Sequence, residues 1–148
     1  KKEITVVIEC VPNDTLKYEY EFKRQKSLPD SIDGNIRKTL FPYPTYYGFS
    51  EAYVSDDGDY LDAFVIAGNT FVRDEQVKVE INTLILMRDN GVEDSKLICS
   101  TKDMIITAAQ IEQIRCFLLG YSADTIIIDS IIDVNYIHNV KQLINEYK

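Results

Sequence analysis

Val77-Lys78-Val79-Glu80-Ile81-Asn82-Thr83-Leu84-Ile85-Leu86-Met87 reads as one long strand, since Val77, Val79 and Ile81 alternate with Lys78 and Glu80. The chain then turns through an acidic loop, Asp89-Asn90-Gly91-Val92-Glu93-Asp94-Ser95-Lys96, and Val92 to Ser100 returns as a partner strand. Working back, Ile4, Val6, Ile8 and Cys10 alternate with Thr5, Val7 and Glu9, a strand that sets Glu9 on the face opposite Ile8. A second strand is predicted from Leu16 to Phe22, paired back across the turn at Pro12-Asn13-Asp14. Residues 23–47 show little periodicity, and three prolines there suggest an ordered loop. Glu51 to Ser55 and Asp62 to Ile66 flank a further turn. Several antiparallel strands joined by short turns indicate a small barrel or sandwich.

Downstream the period changes. Thr107-Ala108-Ala109-Gln110 is a capping box, and Ile111, Ile114, Phe117 and Leu118 give the following helix an apolar face, with Gly120 as its expected stop. Thr125 to Ile132 is β-branched and strand-like. A last helix, about Asn135 to Tyr147, carries Ile137, Val140, Leu143, Ile144 and Tyr147 at helical spacing. The fold class expected is therefore mainly β with flanking helices (α+β). No linker, repeat or low-complexity tract divides the 148 residues, so a single domain over 1–148 is expected.

A net charge of −8 excludes a nucleic-acid binder, which needs a basic footprint. No apolar run reaches the roughly 18 residues that span a bilayer, and the opening Lys1-Lys2 followed by a strand-like run is not expected to be a signal peptide. Cys10, Cys99 and Cys116 lie far apart in apolar surroundings and read as reduced core residues, which points to a cytoplasmic location. His138, the one histidine, falls on the last helix and reads as a helix-surface residue.

The chemistry concentrates at Asp57-Gly58-Asp59-Tyr60-Leu61-Asp62, beside the tyrosine-rich Phe41-Pro42-Tyr43-Pro44-Thr45-Tyr46-Tyr47-Gly48. In an extended segment Asp57 and Asp59 point the same way, and Asp62 can close back onto that side. Three carboxylates so close repel one another, and a divalent cation relieves the repulsion. Oxygen donors without a His or Cys cluster suit magnesium, manganese or calcium rather than zinc. Glu9, set among Val7, Ile8 and Cys10, needs either an exposed face or a partner.

In order along the chain, Val6-Val7-Ile8-Glu9, Lys17-Tyr18-Glu19, Tyr43-Pro44 with Tyr47-Gly48-Phe49, Asp57 to Asp62, Asp89 to Lys96, and Phe117-Leu118-Leu119-Gly120-Tyr121 resemble the soluble (family I) inorganic pyrophosphatases. The resemblance implies a five-stranded OB-like β-barrel with helices packed outside, and magnesium-dependent hydrolysis of pyrophosphate to two phosphates by a metal-activated water. Asp57, Asp62, Asp89 and Asp94 would ligate metal, and Glu9 and Glu19 would hold further metal or its water. Asp59 would be the general base, assisted by Tyr47, while Lys17, Arg37, Tyr43, Lys96 and Tyr121 would bind phosphate oxygens. Several Mg2+ ions per site are implied, with Mn2+ as a substitute, and a homo-oligomer, a hexamer favoured.

The chain departs from the family pattern at three places. Tyr60 stands where Pro or Glu is usual, and Ser122 where a lysine follows the tyrosine. The expected arginine ahead of Tyr43-Pro44 falls at Asn35 in strict register, leaving Arg37, with Lys38 beside it, to take the role. Two alternatives stay open on these grounds. One is a non-catalytic relative that binds metal or phosphate, and the other a hydrolase of another phosphoanhydride, such as a nucleoside triphosphate or polyphosphate.

Overall fold

The computed structural model describes residues 2–56, 58–121 and 124–148, with the side chain of Tyr121 outside that description. Five strands close a barrel: β1 (Glu3–Cys10), β6 (Tyr46–Val54), β7 (Tyr60–Ile66), β10 (Lys96–Ser100) and β8 (Gln76–Asp89). They follow one another around the barrel in that order, and β8 pairs back onto β1 from Glu3↔Glu80 to Val7↔Gln76. All pairs are antiparallel except β7 with β10. The 14-residue β8 is long enough to serve two partners along one edge, β1 on its first half and β11 (Ile126–Asp133) on its second. The short β9 (Val92–Glu93) pairs with the end of β8 across the Asn90-Gly91 turn, a dipeptide suited to tight hairpins.

The alternation of residues on these strands produces two cores. Val6, Ile8, Leu61, Ala63, Val65, Leu84, Leu97 and Cys99 fill the barrel interior, where Val140 and Ile144 of α2 (Ile137–Tyr147) join them. The intervening residues Phe64, Ile98, Ile85 and Met87 face outward and are covered by Ile114, Phe117 and Leu118 of α1 (Ala108–Tyr121). A barrel covered on both faces needs strands that are buried along nearly their whole length, as β7 and β10 are. The predicted capping box is formed: the Gln110 amide donates to Thr107 Oγ1 at 3.2 Å, and the Thr107 amide to Gln110 Oε1 at 2.9 Å.

Between β1 and β6 the outcome differs from expectation. The second strand, β2 (Tyr18–Glu21), does not pair back onto β1; it forms a hairpin with β3 (Lys26–Pro29). A second small hairpin, β4 (Ser31–Ile32) with β5 (Asn35–Ile36), follows, so the expected loop is an arm of two hairpins. Its tip, Asp33-Gly34, has positive φ at both residues, 54° and 80°, as a two-residue hairpin turn of this type requires.

Gly120 is not the stop of α1, which continues to Tyr121. A Cβ there would come within 2.4 Å of the Phe41 ring, so the missing side chain makes room for Phe41. Cys10 and Cys99 are buried, but Cys116 is exposed on α1 and is no core residue; all three are free thiols. His138 is exposed on α2, stacked on Tyr136. No helix among the described residues is long and apolar enough to cross a membrane.

Candidate active site

A cleft of about 450 Å³ opens on the outside of the barrel, between the arm, the Asp89–Asp94 loop and α1. The register of the strands assembles its floor. β7 and β10 pair Lys96 with Asp62, and Lys96 Nζ donates to Asp62 Oδ2 at 2.9 Å and lies 3.4 Å from Asp94 Oδ1. Asp94 is set by its own amide, which donates to the Met87 carbonyl and folds the acidic loop back over β8. Tyr47, from β6, lies with its ring 5.7 Å from Lys96 Nζ and packs on Phe64, while Tyr43 packs on Tyr47 and Phe117.

Glu9 sits at the irregularity in the β1–β6 pairing, between Ile8 and Cys10. It is buried rather than solvent-facing, and its partner is the Tyr20 amide, which donates to Glu9 Oε2 at 2.8 Å. The same contact ties the arm to the barrel, and the arm supplies Lys17, Glu19 and Arg37 to the opposite wall. Arg37 Nη1 donates to Asp30 Oδ2 at 3.0 Å, which fixes the guanidinium at the cleft edge. Lys38 is exposed and lies off the cleft lining. The turn between β6 and β7 is closed by the Ser55 amide donating to the Asp59 carbonyl, which sets Asp59 directly before β7.

Of the thirteen residues that the sequence singles out, Asp57 lies outside the described residues, which leaves twelve. Eleven line it: Glu9, Lys17, Glu19, Arg37, Tyr43 and Tyr47, then Asp59, Asp62, Asp89, Asp94 and Lys96. The twelfth, Tyr121, ends α1, and its side chain lies outside the description, as does Ser122.

The electrostatics are those of crowded acid. Burial, with Asp62 and Glu19 adding repulsion, pushes the Glu9 carboxyl up to about 8 despite the Tyr20 hydrogen bond. Burial also raises Asp94, against the pull of Lys96, and raises Glu19, with Asp30 adding to it. Burial opposes the charge on Lys96, but Asp62 and Asp94 outweigh it and hold the ammonium above its ordinary value. Tyr47 is raised well above the phenol range by burial and by Asp62, so its hydroxyl stays a proton donor.

The donor set suits a hard cation. Glu9, Glu19, Asp59, Asp62, Asp89 and Asp94 all bring carboxylate oxygens to one cleft, and no His or Cys lines it among the described residues. Among the described residues no three of them converge into a ready-made cage. That spread is compatible with magnesium, which keeps several waters and takes only one or two carboxylates at a time.

Arg73 escaped sequence reading, although it precedes β8 in the charged run Arg73-Asp74-Glu75. It lies behind the cleft, stacked 3.5 Å over the Tyr18 ring and bonded to Asp14, which sequence reading took only as a turn residue. On the cleft's outer wall, Tyr20, Phe22, Phe49 and Tyr60 form an aromatic cluster with ring centroids 4.9 to 5.9 Å apart.

The family model for inorganic pyrophosphatase matches residues 6–131. Among curated relatives, the inorganic pyrophosphatase of Mycoplasma genitalium is 32% identical over 88% of this chain and 76% of its own length. That of Malacoplasma penetrans is 36% identical over 65% of this chain, and the match spans about half of the relative, 51% of its length. Among solved structures, an inorganic pyrophosphatase from Coxiella burnetii superposes with a TM-score of 0.79 at 22% identity, over 99% of this chain and 96% of that one. The inorganic pyrophosphatase of Thermus thermophilus gives 0.78, also at 22%, over 99% and 91%. The structural likeness carries the barrel fold, and the sequence match, running from the first barrel strand through the acidic cleft to β11, carries the kinship: the chain belongs to the inorganic pyrophosphatase family.

Proposed function

We propose that this chain hydrolyses inorganic pyrophosphate to two phosphates with magnesium, and that residues 1–148 form one catalytic domain. The observation that carries the reading is the facing of six carboxylates and three cationic side chains across a single cleft. Phosphoryl transfer asks the protein mainly for positioning and charge neutralisation. Asp62, Asp89 and Asp94, with Glu9 and Glu19 and, by family resemblance, Asp57, would hold magnesium, which when bound would supply positive charge and lower the pKa of the attacking water. Manganese is the expected substitute.

The protein's own groups do the rest. Asp59 takes the proton of the attacking water, and the Tyr47 hydroxyl, held protonated by burial, donates a hydrogen bond beside it. Lys17, Arg37, Tyr43 and Lys96, with Tyr121 by resemblance, bind phosphate oxygens. Their donors accelerate the reaction to the extent that they bind the departing phosphate more strongly in the transition state. Lys96, paired with Asp62 and Asp94, shares its charge with phosphate when the carboxylates engage metal.

Phosphate release from pyrophosphate, with and without magnesium, tests the reading. The wild type should turn over, and Asp59→Asn should lose activity by about 100-fold or more, the scale of general-base catalysis. A folded, metal-binding protein whose release does not exceed that of Asp59→Asn would instead support the non-catalytic reading.

A second reading has its own observation. The Phe49 and Tyr60 rings stack at 5.7 Å, and Phe22 beside them is 53% exposed on the same cleft wall. Such a surface suits the base of a nucleoside triphosphate, and a substrate panel in which pyrophosphate alone turns over would remove it. A cytoplasmic location, supported by three free cysteines, and a homo-oligomer, a hexamer favoured by resemblance, complete the proposal. Light scattering reads the assembly.

A further inference from the structure

We infer that Arg73 is a positioning residue for the reaction proposed above: it holds both walls of the cleft in register without lining it. The inference rests on that functional reading, and on a geometry found on the far side of the site. Arg73 Nη1 donates to the Glu9 carbonyl at 2.8 Å and to Asp14 Oδ2 at 2.7 Å, and Nη2 lies 3.4 Å from Asp14 Oδ1. The guanidinium carbon sits 3.5 Å over the Tyr18 ring. One planar, charged group thus touches three separate segments.

Each segment carries cleft residues. The Glu9 carbonyl lies at the irregularity of β1, so the bond to it fixes the backbone from which the Glu9 carboxylate projects. Asp14 closes its turn by accepting the Val11 amide at 2.9 Å, and the turn exchanges two backbone bonds with Tyr43. Tyr18 stands between Lys17 and Glu19. A shift of Arg73 therefore moves Glu9, Tyr43, Lys17 and Glu19 together. The neighbouring residue acts in the same sense, since Asp74 Oδ1 accepts the Ser27 amide at 2.7 Å and its own amide donates to the Ile8 carbonyl. Lysine cannot replace this arrangement, because a point ammonium lacks the flat face for Tyr18 and the fork for Asp14.

The test compares Arg73→Ala and Arg73→Lys with wild type by steady-state kinetics, with circular dichroism to confirm folding. Displacement of about 1 Å at positioned groups costs on the order of 100-fold. Arg73→Ala should lose about that much in kcat/KM, much of it as a raised KM, and free guanidinium at sub-denaturing concentration should restore at least several-fold where ammonium does not. Arg73→Lys should stay about 10-fold below wild type, and it carries the test if the alanine variant does not fold. A folded variant within about threefold of wild type, or a loss that guanidinium leaves untouched, overturns the inference. Should the wild type itself be inactive, the functional reading fails separately. Amide exchange at Tyr20 and Tyr43 then decides the positioning claim: faster exchange in Arg73→Lys supports it, and unchanged exchange overturns it.

Discussion

The barrel and the arm supply opposite walls of one cleft, but they are held in place by different means. Asp62, Asp94 and Lys96 project from or beside strands paired on both edges, with buried residues on both faces. Glu19 lies in the first of two short hairpins and Lys17 and Arg37 flank them, and the second hairpin is exposed along both strands. The arm is tied down by single side chains: Glu9 accepts from the Tyr20 amide, Asp74 accepts from the Ser27 amide, and Arg73 stacks on Tyr18. A ladder of hydrogen bonds shares any local damage among many contacts, whereas single ties fail one at a time. The barrel wall, with Asp62, Asp94 and Lys96, is therefore the stiffer one, and the arm, with Lys17, Glu19 and Arg37, is the more easily displaced.

Glycine substitutions in the two regions break the comparison most directly. A Cβ at Gly48 would lie 1.8 Å from the Val7 carbonyl oxygen, a backbone atom with no room to retreat. Gly48→Ala should cost more than about 4 kcal/mol or prevent folding, as thermal unfolding will show. The corresponding change in the arm, Gly34→Ala, meets no atom within 4 Å and pays only for its φ of +80°. About 1 kcal/mol is expected there by the same measurement, with the barrel core unaffected in amide exchange.

Between these extremes lies Glu9, the point where arm and barrel join. Its carboxyl is raised to about 8 from an ordinary 4.5, so the folded protein holds this proton more tightly than the unfolded chain does. The stability associated with it is present in full below about pH 4.5 and is lost as pH rises through about 8. Metal-free Glu9→Gln should match wild type near pH 4 and exceed it by on the order of a few kcal/mol near pH 9. Denaturant unfolding across that range measures the gap, and saturating magnesium should close it by neutralising the wild-type carboxylate.

Legibility in the sequence follows the same division. The barrel strands β1 and β8 are readable because a buried face imposes a period of two, and α1 because Thr107 and Gln110 announce its cap. The arm is not, because exposed two-residue strands such as Ser31–Ile32 bury nothing that would create a pattern. Its one local signal was the Asp33-Gly34 turn. Leu16 to Phe22 was readable as strand, but its partner was not, since pairing depends on the Lys26–Pro29 segment that lies beyond the turn. Gly120 misled because a glycine near a helix end has two uses, and only the position of Phe41 distinguishes them. For the site, the acidic and tyrosine residues were visible through family likeness. Arg73 was invisible because the residues it touches, Glu9, Asp14 and Tyr18, lie far from it in sequence.

The closure of β8 onto β1 also sets an order of events. Residue 3 finds its partner at residue 80, and residue 7 meets residues 49 and 76. During synthesis β1 emerges long before either neighbour exists, and it must wait with its apolar face uncovered. Such distant pairings slow folding and lengthen exposure to other chains. Because Glu9 rides on β1 while Lys96 rides on β10, the last barrel strand to be made, the cleft has no existence in any shorter intermediate. Its chemistry begins only when the barrel has closed.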